Sequence, residues 1–267
     1  MKDPVYLDYN ATTPVDPRVV EAMQPYLKQH WGNPSSDHVY GRAAKAAVET
    51  ARAQVAALIG AQPGEIVFTG SATEANNLAL WGAARERLPS GRKQIVTSSI
   101  EHPSVLQPLR HMAAHGWSVT ELPVDATGRV ASALTGRYLA VDVALVSVML
   151  ANNETGSIQP IREIADLAHA RGALMHVDAA QAAGKLPIDV DGLGADLLTL
   201  AGHKVYAPKG VGALYVREGT PLAPIMQGAG QECGLRPGTE NVPHITALGA
   251  AARLAREGVV EEVARLR

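Results

Sequence analysis

The chain is poor in cysteine: Cys233 is the only one among 267 residues. No intrachain disulfide can form, so a reducing compartment is the simple reading and a cytoplasmic location is expected. Neither sign of charge is in excess. The formal net charge is -2 at pH 7, which gives no ground for a nucleic-acid or membrane partner. Long apolar runs are missing as well, and none approaches the roughly 18 residues that a membrane span needs. The opening MKDPVYLDYNATTP has acidic residues and a proline where a signal peptide needs an apolar stretch. There are no repeats, no low-complexity segment, no P-loop and no dinucleotide fingerprint, and the glycine-rich GAGQECG follows no clear strand. His111 and His115 stand four apart on a helix, but no third ligand follows at useful spacing, so no metal is expected. Asn10-Ala11-Thr12 and Asn153-Glu154-Thr155 match a glycosylation triplet that means nothing in a cytosolic protein.

What is present is an ordinary globular composition, 46% apolar and 19% charged, long enough for one large domain or two modest ones. Short apolar runs alternate with helical patterns. VDPRVVEAMQPYL starts a helix with Asp16 as N-cap and Pro17 at its first position. GRAAKAAVETARAQVAALIG is a second helix. Ala44, Ala47, Val48, Ala51, Val55, Leu58 and Ile59 share its apolar face, and Gly60 stops it. A capping box, Ser71 with Glu74, opens the helix after EIVFTG. The long final helix from ENVPHITALG has Gly258 as its expected break point. Strands are expected at EIVFTG, QIVTSS, WSVTELPV, VALVSVML, ALMHVDAAQ, ADLLTLAG and GVGALYVRE. Most of these are continuously apolar, as strands covered on both faces are. The expected fold is α/β: three layers, α/β/α, around a mostly parallel sheet.

In such sheets the chemistry sits beyond the carboxyl ends of the strands. Ser71-Ala72-Thr73-Glu74 follows the first strand and reads as a helix cap or as an anion site. Glu101-His102 follows the next, where His102 could cap a helix, lie against a flat ring or move protons. Asn152-Asn153-Glu154-Thr155-Gly156 reads alone only as a loop. Asp178 ends a buried strand, where a carboxylate is costly unless paired. It is either a cap or the partner of a cation. Then come His203 and Lys204, and a lysine at the end of a buried strand is out of place as a surface charge. One ligand accounts for a phosphate site, a ring-facing histidine, a carboxylate wanting a cation and a lysine together: pyridoxal phosphate. Its aldehyde takes Lys204 as a Schiff base, and Asp178 holds its ring nitrogen protonated.

The motifs YLDYNATTPVDPRV, WGNPSS, TEANNLAL, IEHPSV, LANNETG, HVDAAQAAGKLPID, GHKVYAPKGVGALYVR and RPGTENV run through the whole chain. In that order they resemble the cysteine desulfurases of the class V aminotransferase group, and look nearest to selenocysteine lyase-like members. The resemblance implies the large domain of the fold type I pyridoxal-phosphate enzymes and a homodimer. It makes Lys204 the internal-aldimine lysine that later shuttles the Cα proton, and His102 a ring-stacking residue that assists proton transfer. It puts Asp178 on the pyridine nitrogen, Gln181 on the phenolic oxygen, and Asn153 on cofactor and substrate. Ala72, Thr73 and His203 would hold the phosphate, and Thr239 would reach the phosphate in the neighbouring subunit.

Two departures stand out. Ala201 occupies a position where many desulfurases carry a phosphate-binding serine, a loss on the order of 1.5–3 kcal/mol. The family's mobile cysteine and its carboxylate-binding arginine have no counterpart, and Cys233 in GQECGL reads as a spare thiol. The expected organisation is therefore residues 1–13 as a small-domain segment, 14–255 as the cofactor domain, and 256–267 as a helix leading to an absent small domain. The expected reaction removes sulfur from L-cysteine, or selenium from L-selenocysteine, leaving alanine and an enzyme persulfide for a sulfur-acceptor protein. Iron–sulfur cluster or tRNA sulfur chemistry would consume it, and this chain alone would turn over little. The alternatives are another class V reaction, transamination or β-elimination, or a non-catalytic module.

Overall fold

The computed structural model describes residues 4–266. Residues 1–3 and 267, the outer ends of the expected N-terminal segment and final helix, lie outside the described residues. Seven strands form one sheet: β1 (Ile66–Thr69), β2 (Gln94–Ser98), β3 (Ser118–Leu122), β4 (Val143–Met149), β5 (Leu174–Asp178), β6 (Leu197–Ala201) and β7 (Gly212–Val216). They lie in the order β1-β7-β6-β5-β4-β2-β3. β7 pairs antiparallel with β1 and β6, and every other pairing is parallel. Six strands therefore end at one edge of the sheet, and β7 starts there.

The helices are α1 (Pro17–Lys28), α2 (Val39–Ile59), α3 (Ala72–Arg87), α4 (Pro103–Ala114), α6 (Ile161–His169) and α8 (Val242–Leu266), with single turns α5 (Ser132–Thr135) and α7 (Val190–Leu193) between them. Asp16 caps α1 by accepting from Arg18 N, ahead of Pro17. α2 stops at Gly60 in the left-handed conformation, φ 73°. Its buried face is the expected one, except that Leu58 is half-buried and Ala56 is fully covered. α8 runs unbroken through Gly258, contrary to the expected break. A helical glycine costs roughly 1 kcal/mol relative to alanine, too little to interrupt a run of good helix formers.

The two layers bury different sets of strand residues. Met175 and Val177 of β5 join the core under α2, α6 and α8, while Leu174 joins the core under α3 and α4. With a period of two, His176 and Asp178 face the same side as Leu174. On this side the strands change character along their length. Ile95, Leu145, Leu174 and Leu197 form an apolar base. A buried polar row of Thr97, Ser147, His176 and Thr199 follows, and its members are hydrogen-bonded across the sheet. Asp178 lies one step beyond, at the edge where the loops begin.

Candidate active site

Lys204 leaves β6 through a single 3-10 turn, Gly202–Lys204. It is half-buried rather than fully buried, and the N-terminal segment is laid over it at Asn10 and Ala11. Thr13 donates from its N–H and its hydroxyl to His203 O, both at 3.0 Å. Tyr206 N donates back to Thr13 Oγ1 at 3.0 Å, and Asp16 N to Tyr206 O at 3.1 Å. The Lys204 ammonium donates to the carbonyls of Asn10 and Ala11. Burial lowers the Lys204 pKa from its ordinary value, against the opposing pull of Asp8 and Asp178. A hollow of about 680 Å³ opens beside it, lined by Tyr9, Asn10, Thr13, Lys185, Lys204 and Tyr206 among others.

Asp178 is 5% exposed. Oδ1 accepts from Ala180 N at 2.9 Å, and Oδ2 from Asn76 Nδ2 at 2.9 Å. Burial raises its pKa, while the two hydrogen bonds and the nearby Lys204 favour the carboxylate. His102 caps α4, its Nδ1 accepting from Ser104 N at 3.1 Å. The cap reading of His102 is therefore correct, and it leaves the ring free to serve a ligand as well.

At the start of α3, Ser71 Oγ accepts from Glu74 N at 3.1 Å. Glu74 does not close the expected box. Oε2 accepts instead from Gly70 N at 2.8 Å, and Oε1 from Arg236 Nε at 2.7 Å, because the arginine offers a charged partner. Among the described residues the N–H groups of Ala72 and Thr73 donate to no protein acceptor, as befits the open end of a helix. Gly212 passes directly beneath this end. A Cβ there would lie 2.7 Å from Ser71 C and 2.9 Å from Ala72 N.

Of the residues singled out from sequence, Lys204, His203, Gln181 and Asn153 are joined through the N-terminal segment. Gln181 Nε2 donates to Asn10 O at 3.0 Å, Asn10 Nδ2 to Asn153 O at 3.3 Å, and His203 Nδ1 meets Thr12 Oγ1 at 3.2 Å. Asp178 and His102 form a second group on the α3/α4 side. Thr239 is exposed, and no hydrogen bond joins it to either group among the described residues. Cys233 lines a separate hollow of about 590 Å³, with Arg52 and Glu232. Asn10, Asn76, Glu101 and Ser104 all sit inside quoted motifs but received no role of their own. Asn76 had one usable signal: it is a polar residue on a helix face otherwise filled by Ala75, Leu78, Ala79 and Ala83.

The donor set fits pyridoxal phosphate. Free helix N–H groups suit the phosphate, and a buried carboxylate with unused lone pairs suits a protonated ring nitrogen. An amine of lowered pKa suits the aldehyde. Comparison with known proteins agrees. The family model for aminotransferase class-V matches residues 5–267. Cysteine desulfurase IscS 1 of Archaeoglobus fulgidus is 49% identical over 262 residues, 98% of this chain and 68% of that protein. A solved NifS-like protein superposes with a TM-score of 0.94 at 40% identity, covering 97% of this chain and 71% of its own. SspA in complex with cysteine gives 0.90 at 42% identity, covering 93% and 72%. The chain thus spans about two thirds of the length of these relatives. It belongs to the class V aminotransferase family of pyridoxal-phosphate-dependent enzymes.

Proposed function

We propose that this chain provides the cofactor site of a cysteine desulfurase. The carrying observation is the convergence of Lys204, Asp178, His102 and the free Ala72 and Thr73 N–H groups on one edge of the sheet, in a chain whose relatives bear that name. When bound, pyridoxal phosphate supplies an aldehyde for an amine and a ring that accepts electron density from Cα. Lys204 would leave the Asn10 and Ala11 carbonyls to hold the aldehyde carbon, and would then carry the Cα proton. Asp178 would hold a proton on the ring nitrogen. His102 would lie against the ring and assist proton transfer. Ala72 and Thr73 would bind the phosphate with His203, and Gln181 and Asn153 would orient the ring and the substrate from the Asn10 side.

The substrate is L-cysteine, with L-selenocysteine as its close analogue. The C–S bond breaks, the sulfur passes to a thiol as a persulfide, and the carbon takes a proton to give alanine, so the atoms balance without an added oxidant. Cys233 lies in a different hollow from Lys204, which supports reading it as a spare thiol rather than as the accepting one. The reading includes a homodimer in which Thr239 reaches the neighbouring phosphate, an acceptor protein for the sulfur, and a cytoplasmic setting. It also assigns residues 1–13 to a small domain and reads 256–267 as a helix leading to it.

The test is Cα-proton exchange of L-cysteine in deuterated water, with pyridoxal phosphate at saturation and a dithiol present. Exchange is expected with the unmodified chain, and a fall of at least tenfold with Asp178→Asn, which keeps shape but removes the charge that holds the ring proton. Unchanged exchange in Asp178→Asn would make Asp178 a structural cap.

A further inference from the structure

The two groups facing the proposed ring, His102 and Asp178, are connected. Ser104 N donates to His102 Nδ1 at 3.1 Å, and Ser104 Oγ lies 2.8 Å from the same nitrogen. Asn76 Nδ2 lies 2.8 Å from Ser104 Oγ and 2.9 Å from Asp178 Oδ2. Asn76 is fully buried, and its Oδ1 has no hydrogen-bond partner among the described residues.

The direction of every donor in this chain is fixed from its two ends. At one end, a backbone N–H can only donate, so His102 Nδ1 is an acceptor and carries no proton. The Ser104–His102 contact then uses the hydroxyl hydrogen of Ser104, which shares the single Nδ1 lone pair with the Ser104 N–H. At the other end, the Asp178 carboxylate can only accept, so the Asn76 amide must turn its NH2 toward it. The reverse orientation would set the amide oxygen against carboxylate and hydroxyl oxygens alike. One NH2 hydrogen goes to Asp178 and the other to Ser104, whose oxygen has a lone pair free because its hydrogen is already given to His102. The orphaned Asn76 Oδ1 is the cost of this arrangement. A buried polar atom without a partner in a native core calls for a reason, and serving two acceptors at once supplies it.

We propose that Asn76 and Ser104 are positioning residues that fix the His102 tautomer, with the proton on Nε2, and tie His102 to Asp178. The inference rests on the proposed function only in assigning the ring to these two groups. The relay itself concerns side chains of this chain. Its effect is to hold the histidine ring in register with the carboxylate, so that neither moves alone.

The experiment is ¹⁵N NMR on the whole histidine-labelled chain, with and without pyridoxal phosphate, using His102→Gln to assign His102 among the nine histidines. The expected spectrum shows His102 protonated on Nε2, with Nδ1 an acceptor. Ser104→Ala should shift the Nδ1 resonance while leaving His176 and His169 in place. Asn76→Ala, two residues removed from the ring in the relay, should shift it too. The decisive step is the double variant: once Ser104→Ala is present, Asn76→Ala should add no further shift at His102. Ser104→Thr retains a hydroxyl and should restore the original resonance. A proton on Nδ1, or an Asn76→Ala shift of equal size with and without Ser104→Ala, would overturn the relay. Cofactor attachment to Lys204, read separately by borohydride reduction, tests the proposed function. Its failure beside an intact relay pattern would count against that function alone.

Discussion

Glu101 is a buried carboxyl with only half of its hydrogen-bonding capacity used. Oε1 accepts from Ser98 Oγ at 2.5 Å and from Met149 N at 2.9 Å, tying the ends of β2 and β4 together, while Oε2 is buried without a partner among the described residues. Burial pushes its pKa up to about 8, and the nearby Asp178 charge pushes the same way. A carboxyl that holds its proton more tightly when folded adds stability in acid and loses it as the pH rises. The loss begins near the ordinary value of 4.5, where the unfolded chain ionises, and is complete above about 8. Between these limits the slope reaches roughly 1.4 kcal/mol per pH unit. Glu101→Gln keeps the shape and one acceptor but cannot ionise. Urea unfolding across this range should show the variant gaining on the unmodified chain as the pH rises; parallel profiles would contradict the account. His176 works in the opposite sense. Burial lowers its pKa to about 3, so its contribution is present above about 6.5 and is lost as the pH falls toward 3. Where the two windows overlap, their slopes oppose each other, so the Glu101→Gln comparison is needed to isolate the carboxyl.

The contact between β7 and the start of α3 is where element packing bears most directly on the site. β7 starts at Gly212, opposite Ala201 of β6 and Thr69 of β1. A Cβ at 212 would meet Ser71 C at 2.7 Å, Leu200 O at 2.8 Å and Ala72 N at 2.9 Å, all backbone atoms that cannot rotate away. Gly212→Ala should therefore cost about 1–3 kcal/mol and displace the helix end whose N–H groups would hold phosphate. Denaturant unfolding and a fluorescence titration with pyridoxal phosphate should show both effects. Gly64→Ala, with open space around its Cβ position, should show neither. Full binding in Gly212→Ala would mean that the helix end is not the phosphate site. The strands and the helix caps were legible in the sequence because continuous apolar runs and Asp16-Pro17 or Ser71 signals are local. Asp178 and Lys204 were legible because a charge ending an apolar run needs a reason. The lid formed by Asn10 and Ala11 over Lys204 was not, since it depends on contacts about 190 residues apart. The Glu74–Arg236 pair was likewise hidden: locally Glu74 looks like a capping-box residue, and only folding brings an arginine to it.

Across the whole molecule, apolar packing fills both sides of the sheet and leaves the polar groups at one edge. The hollow beside Lys204 is walled in part by the two ends of the chain, with Leu7 on one side and Leu254, Ala255 and Leu266 on the other. α8 is buried along its first half, at Val242, Ile245, Leu248 and Ala252, and open along its last turns, where Val260 is 76% exposed. An exposed apolar stretch beside the hollow suits an added surface there, as the proposed small domain would supply, and favours self-association without one. The proposed function depends on attachment of the cofactor to Lys204. Purified chain saturated with pyridoxal phosphate should turn yellow, and borohydride reduction followed by peptide mapping should place the cofactor on Lys204. The same label should be absent from Lys204→Ala, with the folded state retained. A label on Lys185 or any other lysine, or no uptake at saturating cofactor, would contradict the account.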